Sequence, residues 1–317
     1  MEEDISQRLT HRLPSLLNDE MPPSGATMAQ TEQDIHSLTR DHIHHKAPAL
    51  HTPSSLYSPT SPMWKQLRPS FEFHLLRNAR SALFSAPLTT PQRILDLGCG
   101  SGHWMAAMTA KFPATALYGV DRVKRLVTLD PNTCFIQANI LDPLPFADAT
   151  MDYIHVQFMA PSIPIDHWFF VLRESLRVLR PKGWLEIIEL GLPHISHPII
   201  WIWIAKLGRH YGYELFPGKA LTLWLAHVGG VNVVSREERI IRGTNPDTSS
   251  RLMIRDGIAL AELFRDEVVT QGVTTPLAYH HELQVMKQNL FRTGREDAIS
   301  IYATRCQRTF QEHASSS

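Results

Sequence analysis

The chain has 317 residues, 43% of them hydrophobic, with 31 Lys and Arg against 31 Asp and Glu. That apolar content supports a sizeable core, and the balanced charge gives no global field to attract nucleic acid or an anionic membrane. Three widely separated cysteines (Cys99, Cys134, Cys306) form no CxxC pair, which argues against a disulfide framework and for a reducing, cytoplasmic setting.

In chain order, the opening MEEDISQRLTHRL lacks the apolar segment of a secretory signal. Residues 1–60 hold a single aromatic residue, Tyr57, among scattered Pro, Ser, His and acidic residues. Too little apolar surface is present there to offset ordering entropy, so a mostly disordered tail is expected, suited to contact with a protein partner. Within it, DHIHHK at 41–46 raises the question of a metal, but no Cys or carboxylate spacing supports a site. A solvated tail fits better, and no metal is expected.

The remainder, 61–317, reads as one domain. Phe71, Leu75, Leu76, Ala79 and Leu83 recur at helical spacing and mark one buried face. Strand and helix signals then alternate. RILDL is a strand, followed by a helix from about Gly102 to Phe112. ALYGVD, TCFIQAN and MDYIHVQF are the next three strands, and DHWFFVLRESLRVL is a helix with Trp168, Leu172, Leu176 and Leu179 on one side. PKG breaks that helix, and WLEIIEL is the fifth strand. Apolar strands separated by helices imply a parallel, doubly wound α/β sheet covered on both faces.

Beyond the fifth strand, two helices with Gly and Pro hinges are expected at about 192–229, and VNVVSREERIIRG supplies a sixth strand. A helical excursion follows at about 249–292, with Ile254, Ile258, Ala261, Phe264 and Val268 on one stripe. DAISIYATRCQR is the last strand. The longest apolar run, PIIWIWIA at 198–205, is far short of the ~20 residues of a membrane span.

The stretch LDLGCGSG places Gly98, Gly100 and Gly102 where the first strand hands over to a helix. In an open parallel sheet that turn lies in the ligand crevice. Gly98 permits a tight turn, Gly100 a close approach of ligand to backbone, and Gly102 close packing of helix on strand. Asp96 ends the first strand, aimed into the crevice, and Asp121 closes the second, where an acid binds ribose hydroxyls. Two carboxylates disfavour a pyrophosphate and favour a ligand bearing an ammonium or sulfonium group. The dinucleotide pattern GxGxxG fails at His103, and no GK[ST] follows for a phosphate loop.

This combination resembles the class I S-adenosylmethionine (SAM) methyltransferase superfamily, over roughly residues 70–242 and the last strand. By that resemblance SAM is the cofactor, the fold is Rossmann-like with seven strands, and the last strand returns antiparallel between the fifth and sixth. The helical insertions would then cover the site as a lid. The resemblance also implies that Asp96, Gly98, Cys99, Gly100 and Gly102 cradle SAM and that Asp121 with Arg122 faces its ribose. Asn139, where many members carry Asp, would face the adenine amino group, with Ile140 on the ring. LPF at 144–146 and Asp152 also match, and Lys182 departs from the usual Pro-Gly-Gly turn. More narrowly, IHVQF and RVLRPKGWLEIIE resemble fungal secondary-metabolism methyltransferases, including SAM-binding regulators, although Gln157 stands where relatives often have Arg.

No catalytic base is fixed by these residues. Candidates are His194, His197 and Glu189 at the end of the fifth strand, with His103 and the pair His210 and Tyr211 behind them; a mid-strand His155 reads as structural. Trp201, Trp203 and Trp224 fit either an apolar substrate pocket or helix packing. The leading expectation is methyl transfer to O, N or S of a small natural-product-like acceptor, with neither nucleic acid nor membrane as partner. NPPY is absent after strand four, where the chain reads QFMAPS. The alternatives are a regulator acting through protein partners of residues 1–60, and a SAM-binding cyclase that leaves the sulfonium intact.

Overall fold

The computed structural model describes residues 83–123, 131–192, 199–242, 248–289 and 298–309. The tail over 1–60 and the helix expected around Phe71 to Ala79 lie outside them. The run RILDL forms strand β1, Arg93–Leu97, and its last four residues are buried. Helix α1, His103–Lys111, follows the glycine turn. Strands β2, Ala116–Asp121, β3, Thr133–Gln137, and β4, Met151–Gln157, come next. A short 3-10 turn at Ile165–His167 leads into α2, Trp168–Val178, and then β5, Leu179–Leu190. Helix α3, Ile199–His210, a 3-10 turn at Pro217–Lys219 and α4, Leu221–Val228, precede β6, Val231–Arg242. Helices α5, Thr248–Thr270, and α6, Pro276–Asn289, precede β7, Ala298–Arg308.

The seven strands form one sheet in the order β3-β2-β1-β4-β5-β7-β6. β1 to β5 pair in parallel, while β7 runs antiparallel between β5 and β6. This is the seven-stranded, doubly wound sheet expected from the sequence. Its strand order reverses at β1, which has β2 on one side and β4 on the other, so the crevice opens at their carboxyl ends.

Side-chain alternation splits the core between the two faces. Leu95, Leu97, Ile154, Val156, Leu185 and Ile187 pack with α2 and α4. On α2 the buried stripe is Trp168, Leu172 and Leu176, spaced one turn apart. The other face carries Ile94, Tyr153 and Trp184 against Trp104, Met105 and Met108 of α1. A second core joins both insertions: Ile200, Trp201 and Ile204 of α3 meet Ala261, Phe264 and Val268 of α5 and Tyr279 and Leu283 of α6. The Tyr279 hydroxyl donates to the Ala261 carbonyl at 2.6 Å, which fixes α6 on α5. Ile258 packs beside that cluster, as its stripe predicts.

Three boundaries differ from the sequence reading. β4 stops at Gln157 because Phe158 adopts φ 52, which turns the chain. β3 stops at Gln137, two residues early, as the chain enters the turn holding Asn139. PKG lies inside β5 rather than before it: Met151 pairs with Leu179, and the register then shifts before Tyr153 pairs with Trp184. Lys182 sits in that irregularity at φ 63, which is why the superfamily's glycine is missed there. A Cβ on Gly183 would lie 2.8 Å from the Arg180 carbonyl oxygen.

Chemical denaturation tests this bend. Lys182→Gly removes left-handed strain, offset partly by glycine's entropy, and should raise stability by about 0.5–1 kcal/mol. Gly183→Ala should lower it by about 1–3 kcal/mol.

Candidate functional site

The turn after β1 is built on three left-handed glycines: Gly98, Gly100 and Gly102 have φ of 78, 56 and 78. Each would be strained with a side chain. The Gly98 and Cys99 amides both donate to the Val120 carbonyl, at 2.8 and 3.1 Å, which ties the turn to the end of β2. A Cβ on Gly98 would fall 2.1 Å from the Met159 sulfur, so the segment after β4 packs directly on the turn. Close approach of helix to strand is seen at Gly119 of β2, where a Cβ would meet the sulfurs of Met105 and Cys99 at 2.4 and 2.8 Å.

Two carboxylates flank this cradle. Asp121 ends β2 and is 7% exposed. Its oxygens accept from the Gly100 and Val123 amides, each at 3.0 Å, so the same acid expected at the ribose also shapes the glycine turn. Asp96, 4% exposed, lies beside β4 in register with His155. Asp96 Oδ1 and His155 Nδ1 are 2.9 Å apart, and the imidazole stacks on the Trp104 indole at 3.9 Å and 3°. His155, read as structural from sequence, is therefore joined to the site. The signal was present in the strand order, because β1 beside β4 sets Asp96 against His155.

The remaining expected cofactor residues line the same edge of the sheet. Asn139 occupies the turn after β3, with its Oδ1 accepting from the Leu141 amide at 3.3 Å. Ile140 is buried in the core beside it. Gln157 is the last residue of β4. Arg122 follows β2, exposed, with its carbonyl accepting from Gln137 Nε2 at 3.1 Å. Asp152 sits at the far end of β4, where Oδ2 accepts the Gln92 and Arg93 amides.

Glu189 is buried, and its Oε1 accepts from the Met159 and Ala160 amides at 2.7 and 3.1 Å. Burial pushes its carboxyl up to about 8, against the opposing pull of those two amides. Such a group is a tie between β5 and the segment that packs on Gly98. His194 and His197 lie outside the described residues. His103 is exposed with Nδ1 2.5 Å from Ser101 Oγ, and exposed His210 meets Tyr211 edge-on at 5.1 Å. The three tryptophans settle into packing: Trp201 against Phe216, Trp203 on Tyr279, and Trp224 against Trp168.

The first insertion reaches this edge through Tyr213. Burial pushes its phenol up, with Arg122 opposing and Asp166 adding to the shift. The Ile165 amide donates to the Gly212 carbonyl at 2.8 Å, which anchors the same loop. A separate cleft of about 190 Å³ between Arg173, Arg177, Gly229, Gly230 and Arg308 opens where β5 and β6 begin, at the opposite edge of the sheet.

The donor set suits a ligand with a cationic amino-acid end and a diol. Left-handed glycines leave backbone open to it, one buried acid stands on each side, and no basic side chain lies within the turn itself.

A family model described as a methyltransferase domain matches residues 94–183. Methyltransferase str3 of Strobilurus tenacellus is 29% identical over 149 residues, covering 47% of this chain and 52% of that protein. Methyltransferase str2 of the same fungus is 31% identical over 104 residues, 32% of this chain and 37% of that protein. The protein-methionine methyltransferase laeA of Emericella nidulans is 32% identical over 120 residues, 37% of this chain and 31% of that protein. The chain thus aligns with about half the length of str3 and about a third of the other two.

Glu189 gives a pH test. Between its ordinary 4.5 and about 8, the folded carboxyl keeps a proton that the unfolded chain has released. Stability therefore falls as pH rises through that window. Glu189→Gln should flatten the decline, by on the order of 3 kcal/mol between pH 5 and 8, in denaturation curves of both proteins.

Proposed function

We propose that the chain, whose residues 94–183 match a family model described as a methyltransferase domain, transfers a methyl group from SAM to O, N or S of a small, fairly apolar acceptor in secondary metabolism, in the cytoplasm. The observation that carries this reading is the left-handed glycine turn between buried Asp96 and Asp121 at the point where strand order reverses. Among the described residues, no helix is long and apolar enough to cross a membrane.

The cofactor, when bound, supplies an electrophilic methyl group on a sulfonium. The chain's own part is chiefly to bind and orient. Gly98, Cys99, Gly100 and Gly102 offer backbone to the ligand. Asp96 is assigned the ammonium group, Asp121 with Arg122 the ribose, Asn139 and Ile140 the adenine, and Gln157 the edge above β4. Holding two reactants at near-attack distance supplies up to ~7–11 kcal/mol, so transfer does not depend on a strong base. A protonated acceptor needs one, and His194 and His197 are the candidates in the segment after β5. Glu189 is reserved for holding Met159 and Ala160. The helical layer of α3, α5 and α6 serves as the lid that excludes water and selects the acceptor, with Tyr213 at its inner border.

A second reading has one observation in its favour, the similarity to laeA, whose name assigns it protein methionine as acceptor. In that reading the chain is a regulator that works through a protein bound by residues 1–60.

Methyl-labelled SAM, offered with a panel of phenols, amines and thiols and with a cell extract, separates these readings. The first predicts label in small molecules, and the second predicts label in protein. An acceptor converted without label, over many turnovers with intact SAM, would point to the cyclase. Independently, Asp121→Ala should weaken S-adenosylhomocysteine binding by about 100-fold or more in a chain that still folds. Asp121→Asn, which keeps one accepting oxygen, should fall between. Unchanged affinity would remove Asp121 from the ribose role.

A further inference from the structure

One row of ionisable side chains crosses the middle of the sheet. Asp96 of β1 pairs with His155 of β4, His155 with Glu186 of β5, and Glu186 with Arg305 of β7. Side chains at paired positions share a face, and the first three residues of this row are buried. Their bonds divide the row in two. Glu186 accepts from the Ser85 amide and hydroxyl, each at 3.0 Å, and from the Tyr153 hydroxyl at 2.9 Å. Arg305 donates to the Ser85 carbonyl and lies over the Trp184 ring. His155 joins the other half: its Nδ1 meets Asp96 Oδ1, while its Nε2 is buried without a partner among the described residues.

A buried nitrogen without a partner is costly, and the fold retains it. What the ring gains is position. The Trp104 indole covers one face of the imidazole, so the ring is held in plane and its Nδ1 faces one carboxylate oxygen. A single partner on Oδ1 holds the Asp96 carboxylate in one orientation. Its other oxygen receives no bond from a described residue and remains for a ligand. A lysine or arginine in this position would cancel the acid's charge.

We propose that His155 is the positioning residue for Asp96, holding that carboxylate for the ammonium group of a bound SAM or S-adenosylhomocysteine. Binding of the amino-acid end of the ligand then depends on His155, whereas binding of the adenosine end does not. The proposal rests on the cofactor reading above.

The test compares two ligands that differ in that end alone as far as Asp96 is concerned. S-adenosylhomocysteine has the ammonium, and 5′-methylthioadenosine lacks the amino-acid group. Calorimetric titration of the full chain is run with each, after circular dichroism has established that each variant is folded. His155→Phe keeps a ring for Trp104 and removes the donor. It should weaken S-adenosylhomocysteine by about 10- to 100-fold and leave methylthioadenosine within about twofold. His155→Asn, whose amide nitrogen takes the place of Nδ1, should restore most of the loss; His155→Gln, whose amide nitrogen lies at Nε2, should not. The Asn and Gln pair carries the test if the Phe variant fails to fold. Equal weakening of both ligands would assign His155 a structural role and overturn the proposal, as would unchanged S-adenosylhomocysteine affinity in His155→Phe. A wild-type chain that binds neither ligand would instead overturn the cofactor reading, and this proposal with it.

Discussion

The chain leaves β1 through three residues at positive φ within five positions, and the surroundings of the crevice follow from keeping that path. Such a turn has little stability of its own, because glycine forfeits entropy on ordering. It is held from outside. Val120 accepts two of its amides, Asp121 accepts a third, and Met159 packs on Gly98. Met159 is fixed in turn by Glu189, whose buried carboxyl accepts its amide. Three segments of the sheet's carboxyl edge thus support one bend of backbone. One of those supports, Asp121, also stands as a buried acid in the crevice, so order in the turn and electrostatics of the crevice share its carboxylate.

Above this edge the insertions behave as one layer. α3 comes before β6 and α5 and α6 after it, yet their apolar stripes converge on a single cluster. Tyr211 donates to Glu267 and Tyr279 to Ala261, so polar bonds as well as packing join segments distant in sequence. The antiparallel β7 makes this possible: threading it between β5 and β6 brings the insertions that precede each strand to the same end of the sheet. Tyr213 of that layer lies within electrostatic reach of Arg122 and Asp166.

Most of the fold was legible because the signals were local. Apolar five- to eight-residue runs gave β1, β2 and β4 to within a residue, and spacing gave the buried stripe of α2 and, at Ala261, Phe264 and Val268, that of α5. What escaped depended on contacts between strands. PKG reads as a stop, but pairing of Leu179 with Met151 carries β5 through it. His155 looks like a core residue until β1 and β4 are neighbours, when it becomes the partner of Asp96. Gly119 has no turn signature, since its role is to admit two sulfurs from the elements above it. The tryptophans of α3 and α4 allowed two readings, and their ring neighbours became visible only in the fold.

The central claim is that the bend after β1, with its two acids, binds the cofactor. Thermal unfolding of the folded chain, stripped of ligand and then supplied with S-adenosylhomocysteine, addresses it most directly. At a hundredfold excess over the dissociation constant, a ligand specific for the folded state adds ~2.7 kcal/mol. For a domain of this size the midpoint should rise by roughly 5–10 °C. A midpoint that stays in place at millimolar ligand, in a protein with cooperative unfolding, would contradict the claim and leave the glycine turn a scaffold without its ligand.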